Sequence, residues 1–211
     1  MSTKNYLSKI LSHTKHSLKQ ATKKLKQLTL VVTSFVMLLT SSAYANEPAA
    51  LELLKLDNHF AMMRHAIAPG MGDPHNFNLT NCATQRNLSQ DGIYQAVDTG
   101  DLFRKSGISE AKIYTSQWCR CKDTATNLDL GTPEELILIN SFFENRVDAS
   151  EQTLALHSWL MKQDLSKPTV LITHQVNITA LTGVYPASGE IIILKLEDDA
   201  SVTVVDRVQS E

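Results

Sequence analysis

Two short apolar runs, Phe60–Met63 and Thr169–Thr173, are continuous rather than alternating, the pattern of strands buried on both faces of a sheet. The first runs into Arg64-His65 and the second into His174. Elsewhere the hydrophobic period lengthens. Ser89, as N-cap, opens a helix predicted to reach about Lys105, with apolar positions at Ile93, Val97 and Leu102, and Gly107 ends it. Ile108 to Thr115 predicts a strand, Asp123 to Leu130 a helix, Leu136 to Ile139 a short strand and Glu151 to Gln163 an amphipathic helix; Pro168 opens the strand into His174. Val176 to Leu181 predicts a helix, broken by Gly183, whose first-turn amides suit an anion. The tail alternates in two runs, Glu190 to Leu196 and Val202 to Val208, joined by Glu197-Asp198-Asp199-Ala200, which reads as a β-hairpin at the sheet edge. Strands alternating with helices predict an α/β three-layer sandwich around a mainly parallel sheet, with that hairpin as an antiparallel edge.

In open α/β sheets ligands bind outside the carboxyl ends of the strands, so His65, His174 and Arg64 are expected to converge there. The segment Ser116-Gln117-Trp118-Cys119-Arg120-Cys121-Lys122-Asp123-Thr124-Ala125 adds Arg120 at the end of a third apolar run. Two arginines and two histidines around one pocket suit a phosphoryl group. The planar guanidinium fork matches phosphate oxygens, one neutral imidazole can attack phosphorus, and a second, protonated one can stabilise the transferring group. Such chemistry is mostly positioning and charge stabilisation and requires neither a metal nor an organic cofactor.

The Arg64-His65 pair, the Ser116 to Thr124 segment and His174 together resemble the histidine phosphatase superfamily, which includes the cofactor-dependent phosphoglycerate mutases. The finer spelling, Met63-Arg64-His65-Ala66, Thr84-Gln85-Arg86-Asn87-Leu88-Ser89 with Gly92, and Thr173-His174-Gln175-Val176-Asn177, is similar to its small bacterial branch, which contains the lipopolysaccharide core heptose-phosphate phosphatase type. The likeness runs from about Asp57 to the C-terminus. It implies that His65 is the phosphorylated nucleophile, that Arg64, Arg120 and His174 hold the phosphoryl oxygens, and that a mid-chain glutamate, here Glu144, is the general acid, with Asp148 and Glu151 as rivals. Where the acid-phosphatase branch has an aspartate after the second histidine this chain has Gln175, and Ala66 replaces a common glycine. Arg86 could sit at the pocket rim, but an arginine beside a Leu-Ser helix start reads rather as solvated or paired with an acid.

The N-terminal segment bears on location. Seven lysines and no acid precede Leu28, an apolar run spans Leu28 to Thr40, and Ala43-Tyr44-Ala45 follows. This is the pattern of a secretory signal peptide over 1–45, cleaved after Ala45 for export to the periplasm; the run is short for a membrane span, which needs about 20 residues. An uncleaved anchor is the alternative. Residues 46–211 then form one domain, with 13 lysines and arginines against 22 acids, a net charge of −9. An acidic surface argues against a nucleic-acid partner but leaves room for a small-molecule or glycan phosphate ester. Cys82, Cys119 and Cys121 would enter an oxidising compartment. A bridge from Cys82 to one of the other two is favoured over an i,i+2 bridge, and Cys-x-Cys lacks the usual zinc spacing. The expected function is a periplasmic phosphate-monoester phosphatase working through phosphohistidine. The alternatives are a noncatalytic periplasmic module binding phosphate or phosphoglycan, and a protein-phosphohistidine phosphatase, which export disfavours.

Overall fold

The computed structural model describes residues 47–209. The predicted signal segment and its cleavage site lie outside these residues. Six strands form one sheet: β1 (His59–Arg64), β2 (Lys112–Thr115), β3 (Glu134–Glu135), β4 (Thr169–Thr173), β5 (Ile191–Leu196) and β6 (Val202–Val208), in the order β3-β2-β4-β1-β5-β6. The pairs β3/β2, β2/β4 and β4/β1 are parallel, and β1/β5 and β5/β6 antiparallel. The tail is therefore the antiparallel edge that its alternation implies.

Side chains alternate across the two central strands. Ala61 and Met63 of β1 with Val170 and Ile172 of β4 enter one core, together with Phe103, Ile113, Leu128 and Ile193. Phe60 and Met62 with Leu171 enter the other, together with Leu156, Leu160, Ile178 and Ile192. Helices α1 (Glu47–Glu52), α2 (Gln90–Lys105) and α3 (Cys119–Leu128) supply the first layer, and α4 (Ala149–Leu160) and α5 (Gln175–Thr182) the second. With helices on both faces, β4 is buried at all five positions, which is why its sequence is a continuous apolar run. Among the described residues no helix is long and apolar enough to cross a membrane.

Helix α2 starts as expected, with the Ser89 hydroxyl accepting from the Gly92 amide, and its C-cap is followed by Gly107 at φ +73°. Its buried face differs from the one that Ile93, Val97 and Leu102 suggest. Gly92, Gln95, Ala96, Thr99, Gly100 and Phe103 face inward, whereas Val97 is 39 % exposed. The reason is distance: a Cβ on Gly92 would lie 2.1 Å from the Ile67 carbonyl oxygen, and one on Gly100 2.2 Å from that of Leu128. The backbone packs against backbone there, leaving no room for a branched stripe. Two other expectations shift. Helix α3 begins at Cys119 rather than Asp123, and Leu136 to Ile139 is not a strand: β3 is the two-residue Glu134–Glu135 and Ile137–Ile139 forms a 3-10 turn that buries Ile139. Gly100→Ala is expected to destabilise the fold by about 2 kcal/mol, because neither backbone can yield without repacking two helices. Thermal unfolding of the variant checks this, and an unchanged Tm would contradict it.

Candidate active site

The carboxyl ends of β1 and β4 lie side by side because the strands pair in parallel, with Arg64 opposite Thr173. One residue later the His65 amide donates to the Thr173 carbonyl (2.9 Å), and His174 follows as the N-cap of α5. The two imidazoles meet with ring centroids 5.6 Å apart. The sequence-predicted Arg64, His65, Arg120 and His174 are thus gathered at one end of the sheet.

His65 is 2 % exposed, and its Nδ1 lies 2.8 Å from the carbonyl oxygen of Ala66. A carbonyl only accepts, so Nδ1 carries the proton and Nε2 keeps its lone pair. The backbone holding this tautomer is fixed in turn: the Ala66 amide donates to Thr124 Oγ1 and the Ile67 amide to Gln95 Oε1. Burial, with Arg120 and then Arg64 and Arg86 adding charge, pushes the His65 pKa down to about 3. His174 is held well below its ordinary value by burial and by the same arginines. Its Nδ1 accepts from Arg120 Nη2 (3.4 Å), so Nε2 donates to Ser116 Oγ (2.8 Å), whose hydroxyl donates on to Asn140 Oδ1 (3.2 Å). The second imidazole, expected from the sequence to be protonated, is therefore neutral in the free pocket.

Arg120 sits in the first turn of α3 at 3 % exposure. Its Nη1 donates to Asp73 Oδ1 (2.8 Å) and to the Arg86 carbonyl (3.3 Å), and its Nη2 to Asp73 Oδ2 (3.3 Å). Arg64 Nη1 donates to the Pro186 carbonyl (3.0 Å). The Nε–H groups of Arg64 and Arg120 are buried without a partner. Buried guanidinium donors left unspent are what an oxyanion would satisfy.

Two residues of this pocket escape sequence reasoning. Arg86 is not solvated: it is half-buried, its Nε donates to the Gly72 carbonyl (2.8 Å), its Nη1 to that of Ala68, and its charge reaches both histidines. Asp73, which nothing in the local pattern marks, accepts from Arg120, from the Arg86 amide (3.1 Å) and from Trp118 Nε1 (3.0 Å). Burial opposes ionisation of this carboxyl, but the bonds and charge of Arg120, with those two N–H donors, outweigh it and hold the pKa below the usual range. A signal for Arg86 lies in the cysteines. Cys82 is bonded to Cys119 with Cα atoms 5.7 Å apart, which ties the chain just before Arg86 to the start of α3 and removes both sulfurs from the competing zinc reading. Cys121 stays a free thiol beside His174 Nε2 (3.5 Å), its pKa pushed up to about 12 by burial.

All three acid candidates are exposed. Glu144 is exposed, with Oε1 3.2 Å from where a Cβ on Gly72 would be; Asp148 accepts from Asn145 Nδ2; Glu151 is exposed in the first turn of α4. Among the described residues no hydrogen bond or ion pair joins any of the three to Arg64, His65, Arg86, Arg120 or His174.

No protein-family model matches the sequence, and no curated protein matches it. Solved structures do. The protein histidine phosphatase SixA, complexed with tungstate, superposes at a TM-score of 0.53 with 13 % identity, over 72 % of this chain and 97 % of that one. The fold is that of the histidine phosphatases. A phosphoserine phosphatase mutant from Entamoeba histolytica, complexed with phosphoserine, gives 0.52 at 14 % identity, over 72 % of this chain and 98 % of its own. A mycobacterial glucosyl-3-phosphoglycerate phosphatase with inorganic phosphate gives 0.51 at 15 %, over 73 % and 97 %.

Because His65 is neutral when folded but takes a proton near pH 6.5 when unfolded, the unfolded chain binds more protons below that pH, and stability falls as pH drops from about 6.5 toward 3. By pH 5 the loss from His65 alone is on the order of 2 kcal/mol. Urea unfolding at pH 7.5 and pH 5 measures it, and His65→Asn should shrink the difference between the two midpoints.

Proposed function

We propose that this protein is a phosphatase that hydrolyses a small phosphate monoester through a phosphohistidine at His65. The observation that carries the reading is the state of that imidazole. It is neutral, its tautomer is set by the Ala66 carbonyl so that Nε2 is the nucleophilic atom, and it stands among arginines with unspent buried donors. Nε2 attacks phosphorus, the ester oxygen leaves, and Arg64, Arg120 and His174 hold the phosphoryl oxygens as charge builds on them. His174 takes a proton from solvent as the anion enters. Water then cleaves the N–P bond and releases inorganic phosphate. Two of the neighbouring structures, a phosphoserine phosphatase and a glucosyl-3-phosphoglycerate phosphatase, support a small phosphate ester.

The finer part of the proposal is the setting. The lysine-rich, then apolar N-terminal segment supports export to the periplasm, and the spelling around His65, Arg86 and His174 supports heptose phosphate of the lipopolysaccharide core as the substrate. Rapid-quench mass spectrometry with a reactive phosphate ester is expected to find a transient phosphoryl group on His65, and His65→Ala to lower turnover by roughly a thousandfold or more. Phosphate binding without adduct or hydrolysis would instead favour a noncatalytic binding module.

A further inference from the structure

Expulsion of an alkoxide is slow unless a positioned acid protonates the leaving oxygen. Among the described residues Glu144, Asp148 and Glu151 make no hydrogen bond to Arg64, Arg86 or Arg120, whereas the Asp73 carboxylate accepts from both Nη atoms of Arg120. We propose that Asp73 is the general acid for phosphoryl transfer to His65 and the general base for the hydrolysis that follows, an assignment that rests on the phosphatase reading.

Asp73 is 12 % exposed on the irregular stretch after β1, where Gly70 and Gly72, at φ +97° and +66°, turn the chain back over Arg120. Its carboxylate grips both Nη atoms of Arg120 and takes the Trp118 indole N–H and the Arg86 amide. This places it within one guanidinium of His174, since Arg120 Nη2 is shared between Asp73 and His174 Nδ1. A phosphoryl group that enters takes the same guanidinium, which suits its oxygens at least as well as a carboxylate. Asp73 then loses the counter-ion that kept it ionised and gains a like charge beside it, and both changes favour its protonated form. The substrate supplies the proton, because an ester whose second ionisation lies near pH 6 enters partly as the monoanion.

The steps balance. The ester monoanion passes its proton to Asp73. His65 Nε2 forms the N–P bond while the ester P–O bond breaks, and the Asp73 proton goes to the departing oxygen, giving a neutral alcohol and a carboxylate. Water attacks the phosphohistidine, Asp73 takes a proton from it, the N–P bond breaks, and inorganic phosphate carries that proton away as the monoanion, which returns Asp73 to the carboxylate.

The test reads the single-turnover rate of phosphohistidine formation in the full chain with p-nitrophenyl phosphate, whose leaving group needs no acid, and with 2-glycerophosphate, whose leaving group does. Asp73→Asn is expected to slow the alkyl ester by about a hundredfold or more and the aryl ester by less than about tenfold. Asp73→Glu, which keeps a carboxyl, is expected to recover part of the alkyl-ester rate. Equal losses on both esters, a gain on both, or a selective loss in Glu144→Gln instead would overturn the assignment while leaving the phosphatase intact. If the wild type forms no phosphohistidine from either ester, both readings fall. Should Asp73→Asn fail to fold, Asp73→Glu carries the test, and an equal change on the two esters overturns the assignment.

Discussion

A guanidinium at 3 % exposure is the constraint on which the rest of this pocket depends. An ion removed from water costs several kcal/mol unless it is paired and hydrogen-bonded, so the fold must bring partners to Arg120. Asp73 comes from the loop after β1, the Arg86 carbonyl from the loop before α2, and His174 Nδ1 from the end of β4. None is near Arg120 in sequence. The Cys82–Cys119 bond holds one of these loops to the α3 start, and the Gln85 side chain reinforces it by accepting from the Cys119 amide.

The same charge sets the state of both histidines. Three guanidinium groups around two buried imidazoles make protonation of either unfavourable, so both rest as neutral imidazoles rather than as two cations. One carboxylate, Asp73, offsets part of that charge. A dianion bound in its place would reverse the field at His174 and Asp73 together. The free pocket is thus poised for a ligand of opposite sign.

How much of this was legible in the chain follows the range of the interactions involved. The strands β1 and β4 and the β5–β6 hairpin are marked by their own periodicity, and Ser89 marks the start of α2 by a bond to its neighbour Gly92. His65, Arg64, Arg120 and His174 could be gathered because strand ends meet by a general rule of parallel sheets. Arg86 and Asp73 could not, since their places depend on loops closed by a disulfide and an ion pair between segments 37 and 47 residues apart. The buried face of α2 was hidden for a similar reason: small residues signal a close backbone approach only once the neighbouring backbone is known. The start of α3 at Cys119 was obscured because Cys-Arg-Cys-Lys carries no helical period of its own.

The pocket's charge also contrasts with that of its surroundings. Residues 46–211 carry 13 lysines and arginines against 22 acids, yet three of those arginines share this one small volume. At physiological ionic strength the surface repulsion fades within roughly 8 Å, whereas the buried cations are screened far less. Attraction of an anion to this pocket is then a short-range matter of fork geometry and unspent N–H donors, and long-range attraction contributes little.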